Sequence, residues 1–186
     1  MIDHFGFLAP FYDRLLPYRE DGFLQELANL PQRGKILDAG GGTGRVASTL
    51  VRDGLQVVVM DFSFKMLSQA AAKGLRTTCA ATEHLPFAQD TFDRILVVDA
   101  FHHLADQRQT AVELWRVLRP GGRIVILEPD IERLAVRVLA LGEKLALMRS
   151  HFLRLAQIQA LFPFEGARLS GRKYRYQIGV VIEKVR

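Results

Sequence analysis

Several features that would point to particular classes of protein are scarce or missing in this 186-residue chain. It has one cysteine, Cys79, which excludes an intrachain disulfide and a zinc site built from several thiolates. No run of about 18 apolar residues is present, so no segment is expected to span a membrane. No basic leader precedes an apolar segment in the opening "MIDHFGFLAPFYDRLLP", and we therefore expect no secretory signal and a reducing, cytoplasmic setting. Because Cys79 lies in an apolar stretch, we predict a buried and unreactive thiol.

The composition is that of a soluble globular protein, with 49% hydrophobic and 24% charged residues. The length is most simply that of one domain spanning residues 1–186. The net charge is +5, and the basic residues are dense only in "RLSGRKYRY" (168–176). A solvated pair of terminal strands explains this cluster at least as well as RNA binding does, so nucleic acid is not the expected partner.

Apolar runs alternate with helical patterns along most of the chain. The runs typical of buried strands are "KILDA" (35–39), "QVVVMD" (56–61), "LRTTCAA" (75–81), "FDRILVVDA" (92–100) and "RIVILEPD" (123–130). The segments 45–54, 63–74 and 106–122 have helical spacing, and the last should bury Val112, Trp115 and Leu118 on one face. Apolar strands separated by helices predict a parallel sheet covered on both faces, which is a doubly wound, Rossmann-like α/β fold.

The pattern changes after the fifth strand. Residues 130–162 have the spacing of one long helical stretch, broken near Gly142, and we assign a helical segment to 130–165. Residues 166–186 predict a hairpin that closes the antiparallel side of the sheet. The expected sheet is therefore mostly parallel, with seven strands and an antiparallel last strand.

The stretch "LDAGGGTGR" (37–45) contains four glycines directly after the first predicted strand. Ligands of a doubly wound sheet bind at the carboxyl ends of its strands, and glycines let the backbone pass under a ligand there. The spacing does not match the dinucleotide pattern G-x-G-x-x-G, which argues against a nicotinamide-dependent reductase. It matches D-x-G-x-G-x-G, formed by Asp38, Gly40, Gly42 and Gly44, and a carboxylate at the strand end would attract an ammonium group but repel a pyrophosphate.

Four motifs in this order resemble those of class I S-adenosylmethionine-dependent methyltransferases. They are "ILDAGGGTGRVASTL", "VVVMDFSFKML", "ATEHLPFAQDTFDRILVVDAFHHL" and "ELWRVLRPGGRIVILEP". Their spacing is similar to the branch that includes ubiquinone and menaquinone biosynthesis methyltransferases, over residues 8–128. The resemblance implies a cofactor-binding core at 34–128, with S-adenosylmethionine as cofactor and no metal.

The resemblance also implies roles for single residues. Asp61 would accept hydrogen bonds from the two ribose hydroxyls, Phe62 and Met66 would pack around the adenine, and Asp38 would act on the cofactor's amino group. Asp99 and Ala100 would border the methionine moiety. The glycine-loop candidates are Gly40, Gly42, Thr43 and Gly44.

One position departs from the family pattern. Ala81 stands where the family commonly has an aspartate that reaches the adenine amino group. We expect that contact to come from the backbone or from Thr82, with Glu83 of the same motif as a further cofactor-binding candidate.

Catalytic and acceptor-binding residues have competing interpretations. His102 and His103 are the candidates for a general base, although either could instead pack or orient its loop. The segment 1–25 resembles a lid in which Tyr12 closes over the cofactor; alternatively, Phe7, Phe11 and Leu15 simply cover the sheet. The helical segment 130–165, with arginines between its apolar residues, suits a lipophilic acceptor or an anionic membrane surface. It equally suits a lid on its own domain or a homodimer interface.

These observations predict an S-adenosylmethionine-dependent methyltransferase with a small-molecule methyl acceptor, hydrophobic or quinone-like. The alternatives are a non-catalytic module that binds S-adenosylmethionine or RNA on the same fold and, less favoured, a nicotinamide-dependent reductase.

Overall fold

The computed structural model describes residues 22–145 and 150–185, together with residue 9 and the short pieces 12–15 and 17–18. The helices are α1 (Tyr12–Leu15), α2 (Phe23–Ala28), α3 (Ala47–Leu50), α4 (Phe64–Ala72), α5 (Gln107–Val117), α6 (Leu134–Leu145) and α7 (Leu155–Gln159). The strands are β1 (Gly34–Ala39), β2 (Leu55–Asp61), β3 (Arg76–Cys79), β4 (Phe92–Val98), β5 (Leu118–Pro129), β6 (Ala167–Tyr174) and β7 (Gln177–Lys184). A single 3₁₀ turn, Phe101–His103, follows β4.

The strands form one seven-stranded sheet in the order β3-β2-β1-β4-β5-β7-β6. Strands β1 to β5 pair in parallel, and β7 runs antiparallel to both of its neighbours, β5 and β6. The predicted fold class is therefore confirmed. The strand order reverses between β1 and β4, so the loops that follow these two strands flank the crevice where such sheets bind ligands.

Alternation along the strands divides the apolar residues between two cores. Leu37, Ile95 and Ile124 point to the face that is covered by α5 and α7. Their neighbours, such as Ile36 and Leu96, point to the opposite face, which is covered by α2, α3 and α4. Burial on both faces is the reason that these strands are apolar at successive positions.

Two predicted helices differ from the structure. The helix expected over 45–54 is only the four-residue α3, because Val51 is extended and the chain turns back so that β2 starts opposite Gly34. In α5 the buried face is formed by Ala111, Leu114 and Val117. The predicted face was wrong at Val112, which is 41% exposed.

The long helical stretch predicted for 130–162 was also wrong. Helix α6 continues through Gly142 to Leu145, residues 150–154 are not helical, and the short α7 follows. The backbone N–H of His151 donates to the carbonyl of His102 at 2.7 Å, and the Gln107 side chain donates to the carbonyl of His151 at 2.8 Å. These bonds hold the segment against the loop after β4 in a non-helical path.

The prediction of a buried thiol is contradicted as well. Cys79 is exposed, and its Sγ lies 3.5 Å from the carbonyl oxygen of Phe62. It belongs to β3, an outer strand of the sheet whose side chains are mostly uncovered. An apolar run can therefore form an edge strand instead of a buried one.

Candidate functional site

The glycine loop after β1 adopts a backbone that only glycine tolerates easily. Gly40, Gly42 and Gly44 all have positive φ angles, of 72°, 54° and 71°. A Cβ at Gly40 would lie 2.8 Å from the Cβ of Ala100, so the loop after β1 packs directly against the loop after β4. The two loops that flank the crevice are thus in contact.

Asp61, at the carboxyl end of β2, joins the glycine loop to the start of α4. Its carboxylate accepts hydrogen bonds from the N–H of Gly42 at 2.9 Å and the N–H of Ser63 at 2.8 Å. Met66 is buried beside them, since a Cβ at Gly42 would lie 3.0 Å from its Cε. Phe62 is 54% exposed at the same edge of the sheet, where its ring is open to a ligand. The structure therefore brings together four residues that were predicted to bind the cofactor: Gly42, Asp61, Phe62 and Met66.

Asp38 lies beneath the glycine loop and is fully buried. Its Oδ2 accepts a hydrogen bond from the N–H of Ala47 at 3.2 Å. Burial raises the pKa of Asp38 to about 7, against the opposing effects of that N–H and of the Arg45 charge. A cation brought close to Asp38 would favour its ionised form.

Arg45 and Asp99 form an ion pair across the crevice that sequence reasoning missed. The Arg45 Nη2 lies 3.0 Å from the Asp99 Oδ2, and the guanidinium lies 5.6 Å from the centre of the Tyr12 ring. Asp99 adopts a left-handed conformation with φ 50°, which turns it out of β4. Burial raises the pKa of Asp99 above its usual value, and the Arg45 charge opposes this rise. The only signal in the sequence was a basic residue directly after the last glycine.

The N-terminal segment is fastened to the glycine loop through Asp13. Its carboxylate accepts from the Thr43 hydroxyl at 2.5 Å and from the Lys73 ammonium at 2.5 Å, and Lys73 also donates to the Thr43 carbonyl at 2.8 Å. Burial acts to raise the pKa of Asp13, but the hydrogen bonds from Lys73 and Thr43 outweigh it and the pKa is lowered. Tyr12 and Thr43 are thus placed at the crevice. Phe7 and Phe11 lie outside the described residues, and so does the side chain of Leu15.

Glu128, at the end of β5, organises the loop after β4. One carboxylate oxygen accepts from the N–H of Ala100 at 2.9 Å and the N–H of Phe101 at 2.8 Å. The other accepts from the N–H of His102 at 3.2 Å and lies 2.5 Å from its Nδ1. Because an ionised carboxylate only accepts hydrogen bonds, it places the imidazole proton on Nδ1 and leaves Nε2 as an acceptor. Sequence reasoning missed Glu128, whose only signal is a carboxylate inside an apolar strand.

The two candidate histidines have different environments. His102 is buried and stacks on Phe152, with 4.2 Å between the ring centres. The His103 Nδ1 lies 3.1 Å from the Ser150 hydroxyl. Burial and the nearby His102 lower the pKa of His103 to about 3. Its imidazole is therefore neutral near pH 7 and a weak base there.

Thr82 and Glu83 do not join the other predicted cofactor residues through their side chains. The Thr82 hydroxyl is buried against the Thr110 hydroxyl at 2.9 Å. One Glu83 carboxylate oxygen accepts from the N–H of Asp106 at 3.0 Å, at the start of α5. Both side chains hold α5 in place, because Thr82 and Glu83 follow β3 on the side where that helix begins.

Among the described residues, no group of three His, Cys, Asp or Glu side chains is arranged to hold a metal ion. No described helix combines the length and apolar character needed to cross a membrane.

The similarity of the chain to known proteins agrees with the geometry of the crevice. Residues 37–126, which include β1 to β4 and most of β5, match the family model described as a methyltransferase domain. The chain also has the fold of one chain of the complex between the Haloferax volcanii Trm112 methyltransferase activator and a methyltransferase, with a TM-score of 0.81 and 17% identity over 100% of both chains. Residues 37–126 therefore match a methyltransferase domain, which implies S-adenosylmethionine as the methyl donor.

Within that class the chain is similar to enzymes of quinone biosynthesis, as its motifs predict. It is 32% identical to a ubiquinone/menaquinone biosynthesis C-methyltransferase of Geotalea daltonii, over 67% of this chain and 60% of that protein. It is 36% identical to a demethylmenaquinone methyltransferase of Thermobifida fusca, over 50% of this chain and 42% of that protein. The chain thus spans about half the length of the curated relatives it matches.

Proposed function

We propose that this protein transfers a methyl group from S-adenosylmethionine to a small, hydrophobic, quinone-like acceptor. The observation that carries the proposal is the close approach of the glycine loop, Asp61 and the loop after β4 at the carboxyl edge of the sheet. The similarity to quinone C-methyltransferases supports the acceptor class. We also propose a cytoplasmic location for the protein.

The residues of the crevice suit the donor. The glycines at positive φ leave the cradle without the side chains that would fill it, and Asp61 offers carboxylate oxygens at its rim. The acids Asp38 and Asp99 suit the cationic amino and sulfonium groups, while Arg45 suits a carboxylate. When it is bound, S-adenosylmethionine supplies an activated methyl group for in-line displacement.

His102 is the better candidate for a general base. Glu128 holds its Nδ1 proton and leaves Nε2 able to accept one, whereas His103 is a weak base near pH 7. We assign Glu128 as a positioning residue that acts through His102. His103 then orients the loop through its contact with Ser150.

The test of cofactor binding is isothermal titration of S-adenosylmethionine into the Asp61→Ala variant. Charge-assisted hydrogen bonds contribute about 1.5–3 kcal/mol each, so we expect the loss of both to lower the affinity by about 10²-fold or more. Asp53→Ala is the matched control, because Asp53 is an exposed acid before the start of β2 and should leave the affinity unchanged. An unchanged affinity in Asp61→Ala would contradict the assigned role.

The activity itself is tested with labelled S-adenosylmethionine and demethylmenaquinone, with mass spectrometry of the product. Transfer of one methyl group to a ring carbon is the expected result. Tight binding of S-adenosylmethionine without transfer to any acceptor would instead favour a non-catalytic module. Binding of NADH to the same crevice would favour the reductase alternative.

A further inference from the structure

Helix α6 presents an apolar stripe to solvent. Leu134, Val138 and Leu141 are 77%, 65% and 58% exposed, respectively. At about 100° per residue these three positions lie within an arc of roughly 60° on one side of the helix. Val136 lies on the opposite side and is buried, so the helix already packs on the protein through another face. The three residues of the stripe therefore do not take part in packing α6 on the rest of the protein.

Basic residues lie beside this stripe. Arg137 on α6 and Arg133, directly before the helix, lie along one border of the stripe, and both are exposed. Among the described residues, the Arg133 Nε lies 3.7 Å from the Asp130 Oδ2, and the Arg137 Nε donates to the carbonyl of Ile131 at 3.1 Å. Neither guanidinium is held in a close ion pair by these contacts.

The described charges around the start of α6 are positive in sum. The acids are Asp130 and Glu132, which form ion pairs with the bases of the same surface. The bases are Arg133, Arg137, Arg154 and Lys173. Four positive and two negative charges leave a local excess of +2 beside the apolar stripe.

We propose that the exposed face of α6 docks on an anionic membrane surface. An apolar stripe bordered by basic side chains is the arrangement by which a helix lies in the interface of an anionic bilayer, with its apolar residues among the acyl chains and its arginines at the headgroups. The inference rests on the proposed function in one respect: docking would give the protein access to a lipophilic acceptor in the same membrane.

The position of α6 agrees with this purpose. It follows Pro129 at the carboxyl end of β5, which is the edge of the sheet that carries the glycine loop and Glu128. Docking of α6 therefore brings the crevice to the lipid surface. A second copy of the chain fits less well, because two positive surfaces would meet and three side chains expose far less than the ~800 Å² that each partner buries in a typical stable interface.

The experiment is sedimentation of the full chain with vesicles of phosphatidylcholine that contain about a quarter phosphatidylglycerol. We expect binding that weakens with added salt and is much weaker on pure phosphatidylcholine. Both Leu134→Ser/Val138→Ser/Leu141→Ser and Arg133→Gln/Arg137→Gln should lower the partition coefficient by about tenfold or more.

The matched control is Arg108→Gln/Val112→Ser, which changes an exposed arginine and an exposed apolar residue on α5 and should leave binding unchanged. Equal binding by all variants, or no binding by the unaltered chain, would overturn the proposal. So would a dimer in sedimentation velocity that the triple α6 variant dissociates, because a second copy would then cover the stripe. Titration with S-adenosylmethionine, in the absence of vesicles, reports separately on the proposed function.

Discussion

At the scale of single residues, three buried or half-buried carboxylates carry different tasks in one crevice. Asp61 accepts two backbone N–H groups at its rim, Asp38 lies beneath the glycine loop, and Glu128 holds the loop after β4. Burial is the main reason that the pKa of Asp38 is raised to about 7. The tasks of Asp38 and Glu128 can each be tested with a nearly isosteric amide.

Asp38→Asn should stabilise the protein at high pH and weaken cofactor binding. The folded-state pKa of about 7 is above the ordinary value, so the stabilising contribution of the protonated form is complete below about pH 4 and is lost as the pH rises to 7. The variant avoids this loss, and we expect its free energy of unfolding in urea to exceed that of the unaltered protein by about 2–4 kcal/mol at pH 8. At pH 4 the two should be nearly equal. The same difference at both pH values would exclude Asp38 as the titrating group.

The same group predicts a proton released on cofactor binding. Asp38 is mostly protonated at pH 6, and a cationic ligand beside it would ionise it. Titrations in two buffers with different ionisation enthalpies should show release of nearly one proton at pH 6 and little at pH 8. Asp38→Asn should release none.

Glu128→Gln tests the positioning of His102. The amide oxygen can still accept from the N–H groups of Ala100 and Phe101. The NH₂ replaces the oxygen that faces His102, so it would donate to Nδ1 and move the imidazole proton to Nε2. We expect kcat to fall by about 10²–10³ and the acid limb of the pH–rate profile to disappear, with the affinity for S-adenosylmethionine nearly unchanged. His102→Asn should have the same effects on kcat and on the pH–rate profile. His103→Asn is the control and should keep the pH profile; loss of the acid limb there would reverse the assignment.

At the scale of elements, the site is made by loops whose backbone is held in unusual conformations by neighbouring strands. The glycine loop, the turn at Asp99 and the N-terminal piece with Asp13 meet at one edge of the sheet. In helix α5, the spacing of apolar residues alone did not identify the buried face. Val112 was expected to be buried, but Leu114 is the residue that is fully buried. Apolar residues at positions 111, 112, 114, 115, 117 and 118 allow two overlapping faces, and only the packing against β4 and β5 selects one.

Gly40→Ala tests the contact between the loops after β1 and β4. A positive φ costs an alanine about 1–2 kcal/mol, and the contact of 2.8 Å with Ala100 adds overpacking, so we expect a loss of about 2–4 kcal/mol in urea unfolding. Gly74→Ala is the matched control, since Gly74 has a φ of 78° but open space around its Cβ position. It should lose only about 1 kcal/mol. Equal losses of unfolding free energy in Gly40→Ala and Gly74→Ala would mean that the contact between the two loops does not stabilise the protein.

At the scale of the whole molecule, the last third of the chain completes the fold as well as the site. Strand β7 pairs with β5 and supplies Ile178, Val180 and Ile182 to one core. The single tryptophan, Trp115 on α5, stacks on Phe164 with 5.1 Å between ring centres. The fluorescence of Trp115 therefore reports the docking of the C-terminal third on helix α5 and the sheet beneath it.

Urea unfolding followed by Trp115 fluorescence and by far-ultraviolet circular dichroism should give the same midpoint. The reason is that β7 lies inside the sheet and shares its cores, so the C-terminal third cannot leave without exposing β5. Trp115→Phe is the control that assigns the fluorescence signal. A fluorescence midpoint at clearly lower urea would show that the C-terminal third unfolds separately.

Much of the fold and part of the site could be predicted from local patterns. The apolar runs and the spacing of Asp38, Gly40, Gly42 and Gly44 are properties of neighbouring residues, and they predicted the strands of the sheet and a glycine loop after β1. The exposure of β3 and of its cysteine was not predicted, because exposure at a sheet edge depends on which strands lie next to it. The extent of α6 was not predicted either.

Local patterns in the chain therefore specify the α/β order, the family motifs and the position of the glycine loop, because each depends on residues a few positions apart. The tertiary structure alone decided that Arg45 meets Asp99, that Asp13 fastens the N-terminal piece to Thr43, and that Glu128 holds His102. These partners are separated by 26 to 54 positions, and only the parallel sheet brings the ends of their strands and loops to one edge. No local sequence pattern predicts these contacts.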